Sequence, residues 1–217
     1  MPTVTLLDDR TRPKAPALEG ATEVHKLPGR HLKMIHRHHL QQMGQVRRVL
    51  DLVAEGAAQP DTLRDAVGGL DLKESMRMFG NLCGQECEML TAHHDIESAY
   101  LFPVLQQRGN DGIRKVVERL MAEHEIIHYY LLELENGVAK LMTAQNAENF
   151  DDIKITFLAL ERIIKSHFNY EETELETAIG FYGVSFNLTY PSAARQARKG
   201  GTGLPAIRLE PAPQLRR

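Results

Sequence analysis

The stretch FGNLCGQECEMLTAHHDIESAYLFPV, Phe79 to Val104, decides how this chain folds. Phe79, Leu82, Glu86, Leu90, His93, Glu97, Leu101 and Val104 recur at steps of three and four, the spacing that returns side chains to one face of an α-helix. That face is apolar except at Glu86, His93 and Glu97. Burying such groups without partners costs several kcal/mol each, so the stripe predicts that something satisfies them.

The same period extends outward on both sides. Leu32, His36, His39, Met43, Val46, Leu50 and Val53 form one face of a first helix after the breaker Pro28-Gly29. A second helix, carrying the quoted stretch, is expected from about Leu72 to Gln107. Ile113, Val117, Leu120, His124, Ile127, Leu131, Leu134, Val138 and Leu141 mark a third, with Asn136-Gly137 as a place for a kink. Ile153, Phe157, Leu160, Ile164, His167, Glu171, Leu175 and Ile179 mark a fourth, closed by Gly180. A short helical segment from Pro60 to about Val67 is expected in the first connection, stopped by Gly68-Gly69. The predicted class is all-α: an up-down-up-down antiparallel four-helix bundle over residues 29–182. A flexible N-terminal segment, 1–28, and a flexible basic C-terminal tail, 188–217, would flank it.

Composition fits one soluble domain: 217 residues, 42% hydrophobic, 29 acidic against 26 basic side chains. That balance gives no pull toward nucleic acid or an anionic membrane. No segment approaches the roughly 18 uncharged residues of a spanning helix, and no basic-then-apolar leader opens the chain, so a cytoplasmic location is expected. Cys83 and Cys87, four apart on a helix, sit farther apart than an unstrained disulfide wants; they read as small packing residues, with peroxide or nitric oxide sensing as the alternative. From Pro191 the tail holds Arg195, Arg198, Lys199, Arg208, Arg216 and Arg217 against Glu210, enough to touch an acidic protein partner. No Gly-rich phosphate loop follows a strand.

In an antiparallel bundle, His93, Glu97, His124, His167 and Glu171 fall at one level, roughly 15–20 Å from a shared end at 1.5 Å per residue. On the first helix His39 matches that level better than His36. Imidazoles and carboxylates converging in a dry core make a metal site, and bridging acids suit two non-haem iron ions, with manganese or zinc as alternatives. The i, i+4 spacing stacks His93 over Glu97 and His167 over Glu171, so both side chains of each pair can reach ions about 3.5 Å apart. Leu90, Phe102, Ile127, Ile164 and Phe168 are candidates for an apolar lining, and Tyr170 or Tyr130 for a donor near the site. Glu86 is a candidate outer carboxylate. His94 reads as a neighbour off the stripe, Asp95 as a solvated charge, and His25, His31 and His38 as packing or surface residues.

Four motifs carry a family resemblance: MIHRHHLQQM on the first helix, HHDIESAYLFP on the second, EHEIIHYYLLEL on the third and HFNYEETELE on the fourth. Over roughly residues 30–180 the chain resembles the hemerythrin-like, or HHE cation-binding, family. The resemblance implies a bundle around a non-haem di-iron centre serving dioxygen carriage or sensing, nitric oxide or peroxide handling, or iron homeostasis. It implies His93 and His167 as terminal ligands, Glu97 as a bridge, and His124 with His128 on the third helix. The fourth-helix acid is Glu171, or Glu172 by the longer spacing of some members; four residues return to the same face whereas five overshoot by about 140°. The wording MIHR points to His36, so His36 and His39 both stand. The expected function is uptake of dioxygen, nitric oxide or peroxide for sensing, carriage or stress defence. The alternative is a redox enzyme, catalase-like, peroxidase or ferroxidase, with Tyr170, His94 or Glu86 as proton donor, or a sensor acting through a partner.

Overall fold

The computed structural model describes residues 10–58, 72–144 and 146–184. A 3₁₀ turn, Glu23–Lys26, leads into α1, Leu27–Ala58; α2 spans Leu72–Ile96, passes through a π-helical turn, Glu97–Leu101, and continues as α3, Phe102–Arg108. The chain then forms α4, Asp111–Thr143, and α5, Ala147–Phe181, and no strand occurs among the described residues. Both α1 and α4 pack against α2 and α5, which makes a helical bundle of the four long rods.

Local chemistry sets the ends. Asn110 caps α4 by accepting the Ile113 N–H at 3.0 Å, and Asn146 caps α5 by accepting the Asn149 N–H at 2.9 Å. Pro28 lies inside the first turn of α1 rather than before it, where its missing N–H leaves no bond unmade. Helix α4 runs through Asn136-Gly137 without interruption; a Cβ on Gly137 would stand 2.8 Å from the Ile153 side chain, so the glycine serves close approach of α5. Gly29 similarly faces the backbone of Glu176, and Gly180 that of His25.

The expected stripes are the buried rows of α1, α4 and α5, except that Val138 of α4 is half-buried. On α2 the row changes phase: beyond Glu97 burial passes to Leu101, Phe102 and Leu105, while Val104, expected inside, is half-buried. Pro103 is the physical reason. It has no N–H to give and its ring crowds the carbonyl of Ala99, so the chain widens by one residue, with the Phe102 N–H reaching the Glu97 carbonyl.

Residues 10–26, expected as part of a flexible segment, lie against the bundle. Arg12 is buried with Glu123, Tyr170 Oη donates to the Pro13 carbonyl at 2.8 Å, and the Ala15 N–H donates to Glu174 at 2.6 Å. These contacts span more than a hundred residues of sequence and leave no local period. The expected helix at 60–67 and the tail at 188–217 lie outside the described residues.

Two apolar cores divide the bundle. One contains Met43, Leu90, Ile127, Ile164 and Phe168; the other contains Leu32, Leu101, Phe102, Leu120 and Leu175. Along the long helices the buried histidines, with Glu97 and Glu171, fall near the boundary between them.

Candidate metal centre

Eight side chains form that polar layer: His36 and His39 from α1, His93 and His94 from the end of α2, Glu97 from the π-turn, His124 from α4, and His167 and Glu171 from α5. All are between 0% and 8% exposed. Donor atoms of His36, His93 and Glu97 lie within 4.8 Å of one another, and so do those of His94, Glu97, His124 and His167. Glu97 belongs to both groups. Its Oε1 is 3.2 Å from His93 Nε2 and 3.7 Å from His36 Nε2, while Oε2 is 3.5 Å from His124 Nε2. Glu171 Oε2 likewise stands between sides, 3.5 Å from His36 Nε2 and 3.9 Å from His167 Nε2.

The outer ring nitrogens are tied down. His39 Nδ1 donates to Glu86 at 2.9 Å, His36 Nδ1 to Glu172 at 3.2 Å, and His167 Nδ1 to Glu123 at 3.1 Å; His124 Nδ1 shares a hydrogen bond of 2.9 Å with Ser98 Oγ. A neutral imidazole that donates from Nδ1 keeps its lone pair on Nε2. Nε2 of His36, His39 and His93, both nitrogens of His94, and all four oxygens of Glu97 and Glu171 are buried without a hydrogen-bond partner. Nε2 of His124 and His167 approach to 3.2 Å, the spacing of two donors sharing an ion at roughly 2.1 Å.

Burial makes these groups want a cation. It pushes the His36 imidazole down to about 4, against the pull of Glu172, and holds His93 and His94 well below the usual histidine range. His124 and His167 are lowered by the same cause. Glu97 is driven well up by burial and by Glu171, and Glu171 rises to about 8 through burial and the acids Glu172 and Glu123. Neutral imidazoles beside acids that ionise only with a counter-charge are the donor set of a transition metal, and the residues present fit one.

Of the predicted site residues, the cluster includes His36, His39, His93, Glu97, His124, His167 and Glu171. His36 and His39 enter together because three residues bring both to one face. Glu172 stands outside, holding His36 and bonded to Lys33 Nζ at 2.9 Å, because one further residue rotates it by about 100°. His128 sits at the rim, its side chain 33% exposed and its Nε2 3.9 Å from Asp95. His94 is the residue that sequence reasoning missed: it is fully buried. Its signal was a second row, Cys83, Cys87, Leu90, His94, since a bundle helix buries a face wide enough for two neighbours. Glu86 has its explanation in His39. Tyr170 faces the Pro13 carbonyl rather than the cluster, Tyr130 packs on the apolar core, and His31 and His38 are exposed. His25 Nδ1 accepts the Thr22 N–H at 2.9 Å, which caps the 3₁₀ turn. Of the expected lining, Phe168 stacks on His36 at 3.8 Å and Phe102 lies 5.1 Å from His124, while Leu90, Ile127 and Ile164 are buried in the adjoining core. Cys83 and Cys87 are free and buried, and a hydrogen bond from Cys87 together with burial raises the Cys83 thiol, which keeps it protonated and suits packing.

No curated protein and no solved structure gives a significant match. Residues 27–179 match the family described as the Hemerythrin HHE cation binding domain, a span that covers all four histidine-bearing helices. The chain belongs to the hemerythrin HHE cation-binding family.

Proposed function

We propose that the cluster holds two non-haem iron ions and that the protein takes up dioxygen, nitric oxide or peroxide for sensing, carriage or defence against oxidant stress. One observation carries this reading: outward nitrogens of His36, His39 and His167 are tied to acids, while the Nε2 atoms of His36 and His167 stand 3.5–3.9 Å from the unpaired oxygens of Glu97 and Glu171. His36, His39 and His93 would serve one ion, His94, His124 and His167 the other, with Glu97 and Glu171 spanning both. Manganese and zinc suit the same donors less specifically. When bound, the irons supply the electrons for reaction with a small oxidant. The chain itself fixes ring orientation through the outer acids, and Leu90, Phe102, Ile127, Ile164 and Phe168 keep bulk water out.

Uptake is favoured over turnover because the candidate proton donors are committed. Tyr170 donates to Pro13, Glu86 accepts from His39, and His94 lies within the donor cluster. The contact of the α1 start with the α5 end, Gly29 on Glu176 and Gly180 on His25, supports an up-down-up-down antiparallel course. A cytoplasmic location is part of this reading, and among the described residues no helix is long and apolar enough to cross a membrane.

The test is metal analysis and visible absorption of the full chain purified in air, beside a Glu97→Ala, His167→Ala double variant. About two irons per chain, lost together in the variant, is expected for a two-ion site. Equal metal content in both proteins would overturn the assignment. Added hydrogen peroxide should give one spectral change; sustained oxygen evolution would transfer the site to the enzyme reading.

A further inference from the structure

Arg12 lies outside the family match, yet it reaches the interior of the bundle. Its Nε and Nη2 donate to the two oxygens of Glu123 at 2.8 Å each, and both side chains are wholly enclosed. Nη1 donates to Ser166 Oγ at 2.9 Å, and the guanidinium lies 4.7 Å over the Tyr170 ring. Tyr170 in turn holds the Pro13 carbonyl, and Glu174 holds the Ala15 N–H. Ser166, Tyr170 and Glu174 are four residues apart, so residues 12–15 are fastened along three successive turns of one α5 face.

We infer that this N-terminal strap is part of the metal centre, with Arg12 a positioning residue that acts through Glu123 on His167. This rests on the reading of the cluster as a metal site. A guanidinium fork fixes the plane of a carboxylate as a lysine cannot, and Glu123 so fixed accepts the His167 Nδ1 proton. That bond sets the tautomer and the ring rotation that present Nε2 inward. The Glu172 tie lacks this insulation, being 16% exposed with its partner Lys33 54% exposed, whereas the Glu86 tie is buried, at 7%. The strap therefore shields the His167 tie from competing water, and its loss should loosen the ion on that side.

Cobalt(II) loaded into the full chain and withdrawn by excess EDTA reads this directly. Arg12→Ala and Glu123→Gln should release cobalt about 10–100-fold faster and shift its visible bands, the effect expected when the outer partner of a ligand is lost. Arg12→Lys, which restores charge but not the fork, should fall between. A lower melting temperature in these variants with wild-type cobalt spectrum and release rate would overturn the inference, leaving Arg12 a purely structural clamp. If Arg12→Ala does not fold, Glu123→Gln and Arg12→Lys decide by the same two readouts. Wild-type protein that takes up no cobalt, iron or zinc would instead overturn the metal reading itself.

Discussion

Neighbouring residues one step apart on a helix differ by about 100° in direction, and at this site that rotation separates donor from support. Glu171 faces the cluster, whereas Glu172 holds His36 from behind. The rule was legible in the sequence for Glu171, because four residues from His167 complete a turn. It failed for His94, because a single line drawn through His93 and Glu97 ignores the second neighbour of α2. A matched pair of variants separates ligand from rim: His94→Ala should retain metal roughly tenfold less well after dialysis against a chelator, while His128→Ala should retain it nearly as the parent does. Equal losses would return His128 to the ligand set. Arg12 and Glu123 were beyond sequence reasoning of this kind, since their link depends on a tertiary contact between a non-periodic segment and α4.

Elements were more legible than residues. Four 3.6-residue rows gave the long helices, and the rows on α1, α4 and α5 are buried as the pattern requires, half-buried Val138 apart. The π-turn at Glu97–Leu101 was not legible, because Pro103 announces a disturbance but not whether the helix will stop, bend or widen. Glycines divide in the same way, by what surrounds them. A Cβ at Gly29 would run into the backbone of Glu176, which cannot move aside like a side-chain tip, whereas at Gly44 the nearest atom is the Arg48 Nη1 at 4.0 Å. Gly29→Ala should therefore lower unfolding free energy by about 1–3 kcal/mol, as overpacking does. Gly44→Ala, inside α1 with room to spare, should raise it by about 0.4–1 kcal/mol. Urea titrations of both variants check the opposite signs.

At the scale of the whole molecule, an ionisable layer between two apolar cores ties stability to pH. Above the ordinary histidine value of 6.5 the lowered imidazoles are largely neutral whether folded or not, so the raised acids set the slope. Glu171, at about 8 in the fold against 4.5 unfolded, contributes stability when protonated and loses it as pH rises toward about 8. Glu97 shifts in the same direction. Metal-free protein should melt progressively lower from pH 6.5 to about 8, and metal-loaded protein should not, because bound cations let both acids ionise within the fold. Scanning calorimetry across that range checks the difference; parallel curves would remove the acids from the linkage. Below 6.5 the sign reverses for the lowered histidines, and acid destabilises as pH falls through about 4 at His36. The family match begins at residue 27, past the buried guanidinium at Arg12. A gene shortened to that boundary would leave the Glu123 carboxylate without its countercharge in an interior that tolerates none. Orphaned interior charge costs roughly 3–5 kcal/mol, a large part of the roughly 5–15 kcal/mol that keeps an ordinary domain folded. Minimal-domain expression would thus discard some of the molecule's own keystone.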